Sequence, residues 1–177
     1  MTTKDRIIVA LDTDSRATAL SLVRQLRAQV GLFKIGSQLF TAEGPAMVRE
    51  IIELGEKVFL DLKFHDIPNT VARAVSVAAS MGVSMLTLHT LGGLSMLESA
   101  AREVRESRMS SRRPLLLGVT VLTSMSDTDL EEIGVHAEAE TQVALLAGLA
   151  LRAGLDGVVA SPKELPRLRQ QYGQSLK

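Results

Sequence analysis

The sequence predicts a parallel α/β fold, with a barrel of βα units favoured over an open doubly wound sheet. Three observations predict it. Short apolar, β-branched runs alternate with longer segments of helical period. These runs recur roughly every 25 to 30 residues, with one longer step of about 40. Finally, the turn after the first run reads Leu11-Asp12-Thr13-Asp14-Ser15, with no G-x-G-x-x-G pattern, and no G-x-x-x-x-G-K-[ST] occurs anywhere. The doubly wound reading thereby loses its most telling signature.

The first strand is expected over Arg6–Asp12, followed by a helix whose inner face carries Leu20, Val23, Leu26 and Val30. A second strand spans Gly31–Gly36. The next helix opens at Pro45, turns Met47, Val48, Ile51, Ile52 and Leu54 inward, and closes at Gly55. Lys57–Lys63 reads as the third strand, and its helix runs from Pro68 to about Gly82. The fourth strand, Ser84–His89, leads through Gly92-Gly93 to a helix carrying Leu97, Ala100, Ala101 and Val104. Pro114–Leu122 is the fifth strand and Asp156–Ala160 the sixth. Ser161-Pro162-Lys163-Glu164 then has the form of a capping box with Pro in the first helical position. The extra length falls in Thr123–Ala139, where a loop over a site is expected. Nearly continuous apolar strands imply a sheet covered by helices.

Composition narrows the function classes. The 177 residues include 20 Lys+Arg and 20 Asp+Glu, and 46% are hydrophobic, enough to bury a core as one domain. Zero formal net charge argues against nucleic acid or an anionic membrane as partner. Only 3% of residues are aromatic, which leaves no stacking platform for single strands. The absence of cysteine excludes disulfides, thiolate metal sites and thiol catalysis. No apolar run reaches membrane-spanning length and the N-terminus lacks a signal-peptide pattern, so a cytoplasmic location is expected.

In parallel βα folds the chemistry gathers at the carboxyl ends of strands. Here those ends carry Asp12, Lys34, Asp61 and Lys63, and Asp66 follows in the next turn. Strand alternation puts Asp61 and Lys63 on one face, which must be the barrel interior. Unpaired buried charge costs several kcal/mol, so these groups must pair with one another, with Lys34 between the two acids. A Schiff-base lysine needs its ammonium form disfavoured. Lys63, flanked by Asp61 and Asp66, instead reads as a fixed cation and proton donor.

Other residues read as structural. His65, His89 and His136 lack metal-ligand spacing, and for His89, at the end of strand four, a hydrogen-bonded structural role is expected ahead of one bordering the pocket. Met47, Met81 and Met85 are core fillers. Arg105–Arg113 reads as a solvated helix end and loop. Asp127–Glu132 is acidic without the glycine and terminal Glu of a calcium loop.

The run Asp61-Leu62-Lys63-Phe64-His65-Asp66-Ile67-Pro68-Asn69-Thr70-Val71 closely resembles the signature of the orotidine-5′-phosphate decarboxylase family. Its D-x-K-x-x-D core is shared with related sugar-phosphate decarboxylases, whereas the H-D-I-P-N-T-V extension is far more specific. Val9-Ala10-Leu11-Asp12, Phe33-Lys34-Ile35-Gly36, His89 with Gly92-Gly93, and Val119-Thr120-Val121-Leu122-Thr123-Ser124 support it in order. The resemblance implies a homodimeric (β/α)8 TIM barrel, cofactor-free, that converts orotidine 5′-phosphate to UMP and CO2. By motif, Asp12 and Lys34 would contact the ribose and Asp61 would lie beside the substrate carboxylate. Lys63 would protonate the carbon that loses CO2. Asp66 would come from the partner subunit with Thr70 close by, and Thr123 would hold the pyrimidine. A closed barrel of such units needs roughly 225 residues, so this chain is expected to be a single barrel domain, 1–177, with six of the eight units. Units seven and eight, with the phosphate site, are then absent, and no phosphate ligand is assigned. Two alternatives stand beside this reading. One is a metal-dependent sugar-phosphate decarboxylase in which Asp61 binds Mg²⁺; the other is a catalytically dead dimerising fragment.

Overall fold

The computed structural model describes residues 3–106 and 113–177. Six strands, β1 (Ile8–Ala10), β2 (Leu32–Gly36), β3 (Val58–Phe64), β4 (Met85–His89), β5 (Leu115–Val119) and β6 (Gly157–Val159), form one sheet. Every pairing is parallel and the strand order is sequential from β1 to β6. A doubly wound sheet would reverse its order part-way. Because this sheet never reverses, successive crossovers lay the helices on one side, as a barrel wall requires.

The helices are α1 (Arg16–Leu26), α2 (Ser37–Glu53), α3 (Pro68–Ser80), α4 (Gly93–Glu106), α5 (Asp127–Glu132), α6 (Ala139–Arg152) and α7 (Leu165–Tyr172). The main core lies between sheet and helices. Phe33, Ile35, Leu60, Leu86, Leu88 and Leu116 from the strands pack there on Val23, Val48, Ile51, Val75, Leu97 and Ala101. The opposite face has its own cluster of Leu32, Phe59 and Leu117, joined by Met85 and Val159. Contact among residues from β2 to β6 requires a curled sheet whose concave side is the barrel interior. Both faces are therefore apolar, which is why the strands read as unbroken hydrophobic runs.

Several boundaries differ from the sequence expectation. β1 is three residues long, not seven, because Thr3–Arg6 forms a 3₁₀ turn and the chain leaves the ladder before Asp12. α1 stops at Leu26, so Val30 is a buried residue of the following turn and not part of the helix face. α2 begins eight residues before Pro45. It consists of two segments that meet at Gly44, whose φ of 63° no helix interior adopts, and Pro45 opens the second. β5 ends at Val119, where the buried Thr120 turns its hydroxyl to the carbonyl of Val159 at 3.0 Å. Thr123–Ala139 is not an open loop: α5 packs Leu130 against Val143, Leu146 and Ala147 of α6. Ser161 and Glu164 form the expected capping box, on a 3₁₀ turn that precedes α7. Of the basic run Arg105–Arg113, residues 107–112 lie outside the described residues. Arg113 itself forms a two-bond pair with Asp156, at 2.8 and 2.9 Å.

At the far edge, the carbonyl of Lys177 accepts the N–H of Val158 at 3.2 Å and its N–H reaches the carbonyl of Asp156 at 3.1 Å. This is the bonding that a further parallel neighbour of β6 would make. Among the described residues, no helix is long and apolar enough to cross a membrane.

Gly118 of β5 is fixed by its neighbours. A Cβ there would lie 2.7 Å from Cγ2 of Thr90 and 3.0 Å from Cβ of Ala150. Gly118→Ala should therefore destabilise the protein by about 1–3 kcal/mol through overpacking. Thermal unfolding followed by circular dichroism should show a melting point several degrees lower. An unchanged melting point would mean that α6 can move off the sheet at little cost.

Candidate active site

The polar end of the sheet is built directly on the apolar interior. Side chains two apart on a strand share a face, so Lys34, Asp61 and Thr87 stand one step beyond Leu32, Phe59 and Met85. The register pairs Lys34 with Phe59 and Gly36 with Asp61, which sets the lysine one step lower than the acid on its neighbour. Gly36 leaves room for the lysine head, since a Cβ there would come within 3.3 Å of Lys34 Nζ and 3.8 Å of Asp12 Oδ1.

The charges form a continuous row. Lys34 Nζ lies 3.3 Å from Asp12 Oδ1 and 3.7 Å from Asp61 Oδ2. Lys63 Nζ donates to the same Asp61 oxygen at 3.0 Å. Asp61 is the protected member, with a side chain 13% exposed, whereas Asp12 is 67% exposed. An exposed pair such as Asp12–Lys34 contributes little to stability. Asp61 between two ammonium groups is the part of the row that the fold must satisfy.

Regular alternation does not deliver this geometry, contrary to the sequence expectation. Leu60 pairs with Leu86 but Phe64 pairs with Leu88, so β3 spends four residues where β4 spends two. The strand bulges over Asp61–Lys63. Lys63 has φ 51°, the only positive φ at a non-glycine residue among those described. Such backbone costs of order 1–3 kcal/mol and is kept where surrounding structure holds it. Here Thr87 holds it. Its Oγ1 accepts the N–H of Lys63 at 2.9 Å and donates to Asp61 Oδ1, also at 2.9 Å. Thr87 is fully buried. The sequence reading passed over it, although a lone hydroxyl within the apolar run Met85–Leu88 was the available signal.

Three other expected residues stand apart from the row in this chain. Asp66 is exposed, and its Oδ1 accepts the N–H of Ile67 at 2.6 Å, just before α3. Thr70 lies exposed in the first turn of α3, and Thr123 is exposed in the turn after β5. The histidines make a separate feature: His65 and His89 stack with ring centroids 5.3 Å apart. Nδ1 of His89 accepts the N–H of Leu91 at 3.4 Å, a weak capping bond that gives it the expected hydrogen-bonded role. Asp127–Glu132 is helical, and its Asp129 is engaged by Ser126 in a capping box. Hydrogen bonds from the Ser126 hydroxyl, and then from its N–H, hold the Asp129 carboxyl below its ordinary range.

A family model described as orotidine 5′-phosphate decarboxylase / HUMPS family matches residues 5–177. The chain belongs to this family. It is 52% identical over 175 residues to an orotidine 5′-phosphate decarboxylase of Syntrophotalea carbinolica, covering 98% of this chain and 72% of the relative. With the enzyme of that name from Idiomarina loihiensis the identity is 53%, over 97% of this chain and 73% of the relative. Among solved structures, the crystal structure of orotidine 5′-phosphate decarboxylase from Lactobacillus acidophilus superposes with a TM-score of 0.90 at 36% identity. It covers 96% of this chain and 77% of that one. The family relation and the shared fold agree with a partial α/β barrel of six parallel strands.

Burial, then the neighbouring His65 and Lys63, push His89 below its ordinary pKa of 6.5. The unfolded chain therefore binds a proton at His89 more readily than the fold does. Stability from this group is full above pH 6.5 and is lost as the pH falls below it. His89→Asn keeps an acceptor for Leu91 without the titration. Between about pH 7.5 and about pH 5.5, its melting temperature should fall less than that of the unmodified protein. Parallel curves for the two proteins would place the acid sensitivity elsewhere.

Proposed function

We propose that this chain decarboxylates orotidine 5′-phosphate to UMP and CO2, with Lys63 as the proton donor. The observation that carries the reading is the row Asp12–Lys34–Asp61–Lys63, drawn from three successive strand ends in a chain of this family.

The chemistry calls for such a row. When the bond from the ring carbon to the carboxylate breaks, its electron pair stays on that carbon in the ring plane, where the π system cannot take it. CO2 leaves, and a proton from Lys63 Nζ moves to the carbon, giving UMP and a neutral amine that solvent reprotonates. A cation fixed beforehand stabilises the developing charge without reorganising at the moment of reaction. Asp61 holds that ammonium at 3.0 Å and would lie beside the substrate carboxylate, where repulsion between the two negative groups favours loss of the carboxylate as neutral CO2. Lys34 joins Asp61 to Asp12, and Asp12 and Lys34 would meet the ribose. Thr123 would hold the pyrimidine from the turn after β5. Enzymes lower barriers by roughly 8–23 kcal/mol, so binding energy from the phosphate and ribose must add to what one ammonium supplies.

The metal-dependent alternative is less well supported. Both oxygens of Asp61 are already engaged, Oδ1 by the Thr87 hydroxyl and Oδ2 by Lys63 with Lys34 nearby. Two ammonium groups at that carboxylate would repel a divalent cation.

The exposed Asp66 belongs to the same proposal. It stands clear of its own chain's row and beside the exposed Ile67, a side chain 67% accessible. This suits a homodimer in which Asp66, with Thr70, completes the partner's site. A cytoplasmic enzyme acting on a nucleotide fits the zero net charge.

Lys63→Ala should fold, yet lose turnover by roughly 10³-fold or more, measured as loss of orotidine 5′-phosphate absorbance. Retention of above about a tenth of the original rate would remove Lys63 from the role. Mixing Lys63→Ala with Asp66→Ala chains should restore activity, because one site of each mixed dimer receives both intact residues. Isolated heterodimers that stay inactive would place both residues in one chain's site.

A further inference from the structure

We propose that Thr87 is a positioning residue that sets the Asp61–Lys63 pair for proton transfer; the inference rests on the decarboxylase reading above. It starts from a local mismatch. Between the pairs Leu60–Leu86 and Phe64–Leu88, β3 places three residues, Asp61–Lys63, against the single Thr87 of β4, and the N–H of Lys63 is left to a side-chain acceptor. Buried N–H groups are nearly always paired. Here the partner is the Thr87 hydroxyl at 2.9 Å, and the same hydroxyl donates a hydrogen bond to Asp61 Oδ1 at 2.9 Å.

The result is a closed ring of polar contacts. The backbone of Lys63 is tied through Thr87 to one oxygen of Asp61, and the other Asp61 oxygen takes Lys63 Nζ at 3.0 Å. Main chain and side-chain head of one lysine are thus both referred to one carboxylate. A hydroxyl suits this junction because it accepts and donates at once. Lys63 holds φ 51° only within the surrounding structure, and this ring is the part of that structure that touches its N–H. Thr87 is fully buried, with Leu86 and Leu88 beside it in the core. It acts through Asp61 and Lys63 and not on the substrate.

The ring has a kinetic consequence. An error of about 1 Å in a reacting group can cost on the order of 10²-fold in rate. Thr87→Val keeps shape and volume but can neither accept from Lys63 nor donate to Asp61. Its kcat for orotidine 5′-phosphate should fall on the order of 10²-fold, with KM rising no more than about threefold. Thr87→Ser keeps the hydroxyl and should stay within about fivefold of the original kcat. A merely structural residue would lower the melting point without separating kcat from KM in the folded protein, and without rescue by serine. Should the valine variant not fold, Thr87→Cys takes its place, its thiol being a weak donor and acceptor, and the same loss is expected. A kcat within threefold of the original for Thr87→Val, or Thr87→Ser as impaired as Thr87→Val, overturns the proposal. An unmodified protein that neither consumes orotidine 5′-phosphate nor binds UMP would instead overturn the decarboxylase reading. Crystal structures of the variants then decide on Thr87 alone. Lys63 Nζ should leave its 3.0 Å contact with Asp61 in the valine variant and keep it in the serine variant, and an unchanged pair in both overturns the role.

Discussion

A carboxylate set among apolar strands must keep cations within a few ångströms, because an uncompensated buried charge costs several kcal/mol. Asp61 meets that requirement with Lys63 at 3.0 Å and Lys34 at 3.7 Å. Much of the local architecture follows from it. Two neighbouring strands must end in register so that Lys34 and Asp61 meet, and Gly36 must leave space beside the ammonium. β3 must also depart from regular pairing so that a second lysine, two residues on, can turn back to the same oxygen.

The barrel supplies rigidity for this arrangement from below. The interior cluster of Leu32, Phe59 and Leu117 lies one pleat step beneath the charges, and the helix-side core clamps the same strands from outside. A side chain rooted in strands packed on both faces has little freedom. Under the proposed mechanism the cation would therefore be in place before any substrate arrives, as electrostatic stabilisation of a short-lived anion requires. Near the strand ends, threonine hydroxyls bond backbone groups of the neighbouring strand. Thr87 serves Lys63, Thr90 bonds the carbonyl of Val119 at 2.7 Å, and Thr120 bonds that of Val159 at 3.0 Å. All three are fully buried. Polar groups so deep in an apolar barrel are tolerated because each has a partner.

Much of this was legible in the sequence. The six strands fall inside or within one residue of the runs expected for them, since parallel strands covered on both faces read as unbroken apolar segments. Proline at 45 and 68 and the capping box at Ser161–Glu164 marked helix starts because those residues satisfy or forgo specific backbone donors. Four charges at three strand ends marked the candidate site, and the run from Asp61 to Val71 pointed to the family. Nothing in the sequence marks the first turns of α2, as Ser37–Glu43 carries no cap signal ahead of the break at Gly44.

The unreversed strand order bears out the barrel that the missing glycine-rich turn and the family resemblance favoured over the doubly wound sheet. Tertiary structure alone decided two further things. The bulge at Asp61–Lys63 arises from β3 pairing with β4, and no property of the β3 sequence by itself requires it. Thr87 became part of the site for the same reason: its hydroxyl matters only because that bulge leaves the N–H of Lys63 facing it. Residue types and their spacing determined which charges the fold had to bring together. How a lysine and an aspartate of one strand came to meet was decided by the neighbouring strand, through hydrogen bonds between residues far apart in sequence.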